Sequence, residues 1–124
     1  MQNRVLLIDD DDLIAGSLRD SLRNRGWAVD VALEPLAAHA FMTEQPYGII
    51  VVDPYLTARS PQHLSLLGMI RRLQPLSVMI VLTAYGSPEL HESAAAQRAV
   101  AVLPKPQPVG YLTDVITDTS ILRS

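Results

Sequence analysis

The chain has 124 residues, 48% of them apolar, with 13 acidic and 10 basic side chains and a formal net charge of −3. A length of this order fits one compact domain over 1–124, and a negative balance argues against direct contact with nucleic acid. The absence of cysteine excludes disulfides and thiolate metal sites, and no apolar run approaches the roughly 18 residues that span a bilayer, so a cytoplasmic location without membrane contact is expected.

Short β-branched runs alternate with longer stretches of helical period, which predicts βα units stacked on a parallel sheet. Val5 to Ile8 is the first strand; it runs into four aspartates and is too short for a secretion signal. Leu13, Ile14, Leu18 and Leu22 follow at helical spacing, with acid opening the helix and Gly26 closing it. Trp27, just past that stop, is expected in the core. Val29 to Leu33 reads as the second strand, and Pro35 then opens a helix presenting Leu36, Ala37, Ala40 and Phe41 that stops near Pro46. Ile49 to Val52 is apolar without a break, as in a strand buried on both faces.

Ser60-Pro61 and Ser87-Pro88 each read as an N-cap and first turn. The first opens a helix with Leu66, Leu67, Ile70 and Leu73 that ends at Pro75. The second opens a helix whose apolar face, Leu90, Ala94 and Ala95, is mostly alanine and gains little from burial at roughly 25 cal/mol per Å². Val78 to Leu82 and Val100 to Leu103 are the fourth and fifth strands. Gly110 and several β-branched residues weaken the last helix, from about Pro108, so its end is expected to fray.

In an open parallel α/β sheet, ligands bind outside the carboxyl ends of the strands. The first run ends at Asp9 and Asp10, the third at Asp53, the fourth at Thr83 and the fifth at Lys105, so polar side chains collect along one edge. With the first and third strands as neighbours, their ends lie about 5 Å apart and three carboxylates converge and repel one another. A hard cation relieves such a cluster, and a nearly all-oxygen donor set favours Mg²⁺ over zinc. A carboxylate beside Mg²⁺, an ammonium and a hydroxyl can attack phosphorus and form an acyl phosphate, because phosphoryl transfer asks mainly for positioning and charge neutralisation.

Plainer readings stand beside this one. Asp9 to Asp12 can be a solvated helix start with Asp11 and Asp12 as caps, Thr83 an ordinary strand residue, and Lys105 part of a surface turn between prolines. His39, His63 and His91 have no partner at ligand spacing and are expected at the surface.

Four segments, Val5-Leu-Leu-Ile-Asp-Asp10, Ile50-Val-Val-Asp53, Val81-Leu-Thr-Ala84 and Leu103-Pro-Lys-Pro106, stand in an order and spacing that resembles the response-regulator receiver family of two-component signal transduction. The resemblance implies a flavodoxin-like (βα)5 sandwich of strand order 2-1-3-4-5 and a cis peptide at Lys105-Pro106. It implies a phosphoacceptor rather than an enzyme, with Asp53 phosphorylated by a histidine kinase or phosphotransfer protein that docks near the first helix and the loop after the fifth strand. Asp10, Asp53 and the backbone carbonyl of Tyr55 would bind Mg²⁺, with Asp9 acting mostly through a bound water. Thr83, Lys105 and the N–H of Ala84 would hold phosphate oxygens, and the last two helices would form an output surface or a homodimer.

The chain departs from the family pattern in places. Val102 replaces the usual aromatic three residues before the lysine, which puts the usual output switch in question. Pro54 follows Asp53 directly and Thr57-Ala58 stands where Pro-Gly is common, so the loop from Tyr55 to Ser60 is expected to take an unusual path. Arg98-Ala99 replaces Gly-Ala before the fifth strand, so the preceding helix is expected to lack a left-handed glycine cap. By the resemblance, Tyr55 and Tyr85 occupy positions beside the water path to the acyl phosphate and would shield it. Competing functions are a receiver-like module that binds partners without phosphorylation, a haloacid-dehalogenase-like phosphatase using Asp9 and Asp11, and flavin binding, which the acidic first loop disfavours.

Overall fold

The computed structural model describes residues 3–55 and 63–123. Strands β1 (Arg4–Ile8), β2 (Ala28–Ala32), β3 (Ile49–Val52), β4 (Val78–Thr83) and β5 (Ala101–Pro104) alternate with helices α1 (Asp12–Asn24), α2 (Pro35–Glu44), α3 (His63–Leu73), α4 (Pro88–Ala96) and α5 (Val109–Thr117). The strands pair in parallel in the order 2-1-3-4-5. This is the expected α/β sandwich, and the expected strands agree with the observed ones to within a residue at either end.

Alternation of side chains along each strand builds two cores. Leu6, Ile8, Ile50, Val52, Met79 and Val81 face one side, where Ala38, Met42, Leu67, Ile70, Leu90 and Ala94 of α2 to α4 cover them. Val5, Leu7, Ile49, Val51, Ile80 and Leu82 face the other, under Leu18 and Leu22 of α1 and Leu112, Val115 and Ile116 of α5. All four residues of β3 are buried, as its unbroken apolar run requires. Trp27 packs half-buried against the second core.

Helix faces were less well read. Leu13 is 81% exposed and Leu36 75% exposed, and Ala40 and Ala95 also lie outside. In α2 the buried residues are Ala38 and Met42, with Ala37 and Phe41 half-covered. The sequence of α2 is apolar almost all round, so its period does not choose a face; close approach to the sheet, which the small Ala38 permits, does. After α5 the chain continues as a 3-10 turn (Thr119–Arg123); Asp118, just before it, accepts from Ser120, and Leu122 packs on the second core. The N-cap expected at Ser60 lies outside the described residues, whereas Ser87 caps α4 by accepting from the Leu90 N–H.

The ends of α1 and α4 correct a further expectation. After α1, Gly26 has φ +91, its N–H donates to the Arg23 carbonyl, and the Trp27 N–H donates to Leu22. After α4, Arg98 has φ 60, its N–H donates to Ala95, and the Ala99 N–H donates to Ala94. Both are the same left-handed C-terminal cap. The hydrogen bonds that close α4 are therefore kept, with arginine held where glycine would be unstrained.

Arg98→Gly is expected to stabilise the fold by about 1 kcal/mol, because it removes the left-handed cost of a side chain for the loss of one long exposed hydrogen bond. Thermal unfolding should show a midpoint a few degrees higher; an unchanged or lower midpoint would show that the arginine contributes more than its conformation costs.

Candidate functional site

The sheet register sets the site. Ile8 lies opposite both Ala32 and Val52, so the chain leaves β1 and β3 side by side, and the Asp9 and Asp53 N–H groups continue the ladder to Ala32 and Ile8 at 3.0 and 2.8 Å. The Lys105 N–H likewise donates to Thr83 at 3.1 Å, tying β5 to β4. Each strand then turns by one device, a polar side chain that accepts the N–H two residues on: Asp9 from Asp11, Asp53 from Tyr55 and Thr83 from Tyr85, at 3.0, 3.0 and 3.1 Å. These turns fix the strand-end side chains over the edge of the sheet.

The Lys105 ammonium lies between two carboxylates. It donates to Asp9 Oδ2 at 2.7 Å and to Asp53 Oδ2 at 2.9 Å, and Asp9, Asp53 and Thr83 are all buried. The Lys105-Pro106 peptide is cis, as the resemblance implied. Burial raises the Asp9 pKa above the usual carboxylate value, and repulsion from Asp53 adds to it, against the opposing pull of Lys105 and the Asp11 N–H. Burial would lower the Lys105 pKa, but its hydrogen bonds and attraction to two carboxylates outweigh that and raise it. Both shifts go upward for different reasons: burial dominates at Asp9, while two carboxylates around one ammonium outweigh burial at Lys105.

The structure thus brings together Asp9, Asp53, Lys105 and, from the next strand end, Thr83, with Ala84 exposed beside it. The expected convergence of three carboxylates is realised for two. Asp10 is exposed, since successive residues leave a strand in opposite directions, and among the described residues no three His, Asp or Glu side chains stand already gathered as metal ligands. Asp11 caps α1, its Oδ1 accepting from the Ile14 N–H at 3.2 Å, as the helix-start reading expects. His39 and His91 are exposed, as expected.

Tyr55 and Tyr85 stand in edge-to-face contact with ring centroids 5.5 Å apart. Sequence reading placed both near the site without foreseeing that they touch; the signal was there in their equal spacing, two residues past Asp53 and two past Thr83. Val102 is half-buried against the core beneath α2 to α4. Residues 56–60 of the loop after Tyr55 lie outside the described residues.

A family model described as the response regulator receiver domain matches residues 5–117. The chain belongs to that family. An NtrX-like response regulator of Rickettsia conorii is 26% identical over 82% of this chain, which spans 22% of the length of that relative. Among solved structures, a response regulator of Burkholderia pseudomallei with a phosphorylated aspartic acid, calcium ion and citrate is 28% identical, with TM-score 0.80 over 98% of this chain and 73% of that one. The beryllofluoride-activated NtrC4 receiver domain dimer is also 28% identical, with TM-score 0.81 over 98% of this chain and 99% of that one. The receiver domain is a signalling module, and no helix among its described residues is long and apolar enough to cross a membrane.

The direction of the Asp9 shift makes a prediction about stability. A carboxyl whose folded pKa lies above its unfolded value favours the fold below the unfolded value and loses that contribution as pH rises through the folded one. That direction already contains the attraction to Lys105. Asp9→Asn, measured without divalent cations, should therefore be harder to denature than the parent at pH near 7, with the difference closing below about pH 4. A variant less stable at neutral pH would refute the assignment.

Proposed function

We propose that this receiver domain accepts a phosphoryl group on Asp53, in a Mg²⁺-dependent reaction, from a histidine kinase or phosphotransfer protein, and that the product alters partner binding or dimerisation. The observation that carries the proposal is the Lys105 ammonium seated on Asp53 Oδ2 and Asp9 Oδ2. One cation there lowers the charge that an incoming phosphoryl group must approach. Asp53 Oδ2 attacks phosphorus, the new O–P bond forms as the P–N bond to the donor imidazole breaks, and the electron pair leaves with the imidazole. Lys105 moves its hydrogen bonds to the phosphoryl oxygens, joined by the Thr83 hydroxyl and the Ala84 N–H.

The residues also fit a divalent cation. Asp9 and Asp53 each give one oxygen to a backbone N–H and the other to Lys105, and every carboxylate oxygen has a further lone pair. The donor set of Asp10, Asp53 and the Tyr55 carbonyl, with Asp9 through a water, is all oxygen and suits Mg²⁺, which would offset charge on the transferred group. The phosphorylated aspartic acid and calcium ion in the Burkholderia pseudomallei regulator support this reading for a chain of the same fold, and the NtrC4 receiver domain dimer supports self-association, for which we propose the α4 and α5 face. Val102 favours a second reading, a receiver-like module that binds partners without phosphorylation.

Mass spectrometry decides between them. Incubation with Mg²⁺ and a small phosphodonor such as acetyl phosphate should add one phosphoryl group; Asp53→Asn or removal of the cation should abolish it. A parent chain that gains no mass would leave the unphosphorylated module.

On the phosphorylation reading the Tyr55–Tyr85 ring pair would shield the acyl phosphate from water. Replacing either ring with serine should shorten the phosphoryl lifetime about tenfold, equivalent to roughly 1.4 kcal/mol of barrier. Decay followed by loss of mass after donor removal tests this, and equal lifetimes would remove the shielding role.

A further inference from the structure

Among the described residues, three arginines at the end of the domain opposite Asp53 make no ion pair. Helices α3 and α4 both finish there, and Arg71, Arg72 and Arg98 gather at their C-termini. Arg71 Nε donates to the Gln97 carbonyl at 2.8 Å, and its Nη1 to Ser77 at 2.8 Å and Gln74 at 3.1 Å. Arg72 Nη1 lies over Gly68, beside the Gln97 amide, and Arg98 Nη2 reaches the Pro75 carbonyl at 3.4 Å. Among the described residues none of the three pairs with a carboxylate; the ion pairs are made by Arg4, Arg19, Arg25 and Lys105.

Arginines in the last turn of a helix complement its dipole, which accounts for Arg71 and Arg72. It does not account for Arg98. This residue lies beyond α4 in the left-handed region, where glycine would be unstrained, and its charge, after burial, is what pushes the Arg71 pKa down. Two local costs thus fall on one exposed side chain whose hydrogen bond to Pro75 is long. A residue that breaks local rules without structural return is expected where a surface has work to do.

Apolar surface lies directly beside it. Leu76, next to Pro75, is 79% exposed. An open groove of about 310 Å³ lies between the ends of α2 and α3; Leu73, Pro75 and Leu76 line its α3 side, nearest Arg98, and Glu44 and Gln45 its α2 side, so a docked carboxylate is directed to the arginine side. We infer that this end of the domain docks an acidic segment of a partner protein, with carboxylates on Arg72 and Arg98 and an apolar side chain in the groove beside Leu76. A polypeptide suits this surface better than a nucleic acid, because it offers two exposed guanidiniums beside an apolar residue, whereas nucleic acid is held by many phosphate contacts. The surface is independent of the phosphorylation reading and leaves the Asp53 edge open.

The test is titration of the isotopically labelled chain, by amide chemical shifts at low salt, with a short capped peptide of glutamates around one leucine. Saturable shifts are expected around 68–77 and 95–99. Arg72→Glu with Arg98→Glu should weaken binding roughly tenfold or more, since each attraction becomes a repulsion. Leucine replaced by serine in the peptide should weaken it severalfold. Arg98→Gly separates structure from recognition: this variant should unfold at higher temperature and yet bind more weakly, and it decides the matter if the charge-reversed chain does not fold. No saturable shift, binding unchanged in Arg98→Gly, or an equal response to a single-stranded DNA oligonucleotide would each overturn the inference.

Discussion

One ammonium shared by two buried carboxylates organises the functional edge of this domain. Asp9 and Asp53 leave adjacent strands, and their charges could not be buried together without a cation between them. Lys105 comes from β5, two strands beyond β3, and has to reach across the end of β4 to meet them. The ion triad therefore reports on the register of the whole sheet. It also leaves an electrostatic imbalance, because a single positive charge answers two negative ones, and that imbalance is what a further cation or a new ligand of the lysine can exploit.

The sheet was legible in the sequence because burial on both faces writes a continuous apolar run, as in Ile49 to Val52, and the polar residue that ends each run marks the edge where chemistry collects. Asp9, Asp53, Thr83 and Lys105 could be found that way. Helix faces were harder. Leu13 and Leu36 share the apolar character of core residues, yet the side a helix presents is fixed by how closely its small residues let it approach the sheet. Asp10 differs from its neighbour Asp9 in being exposed, which proximity in sequence does not reveal, because directions alternate at a strand end.

Departures from the family pattern have unequal structural weight. At the end of α4, arginine takes over the left-handed position with every backbone hydrogen bond of the cap retained, so geometry outlasts the residue that would make it cheap. At position 102 an aromatic ring is missing, but a different pair of rings, Tyr55 and Tyr85, joins the loop after β3 to the loop after β4. Because the side chains of Asp53 and Thr83 accept the backbone N–H groups of these two residues, a ring contact between them couples that carboxylate to that hydroxyl.

The two edges of the sheet divide stability from reactivity. At the end away from Asp53, Tyr47 is fully buried, its hydroxyl donating to Asp30, while Gln74 accepts from the Tyr47 N–H and donates to the carbonyls of Met42 and Gln45. Ser77 closes this network on the Tyr47 carbonyl. Burial, with Asp30 beside it, pushes the Tyr47 phenol up and keeps it neutral. Among the described residues no buried side-chain polar atom lacks a partner. A network satisfied in this way locks the starts of β3 and β4 to the ends of α2 and α3. Rigid strands then deliver Asp53 and Thr83 to the other edge in fixed positions, where charge is left under-compensated and hydrogen bonds can be exchanged without loosening the fold.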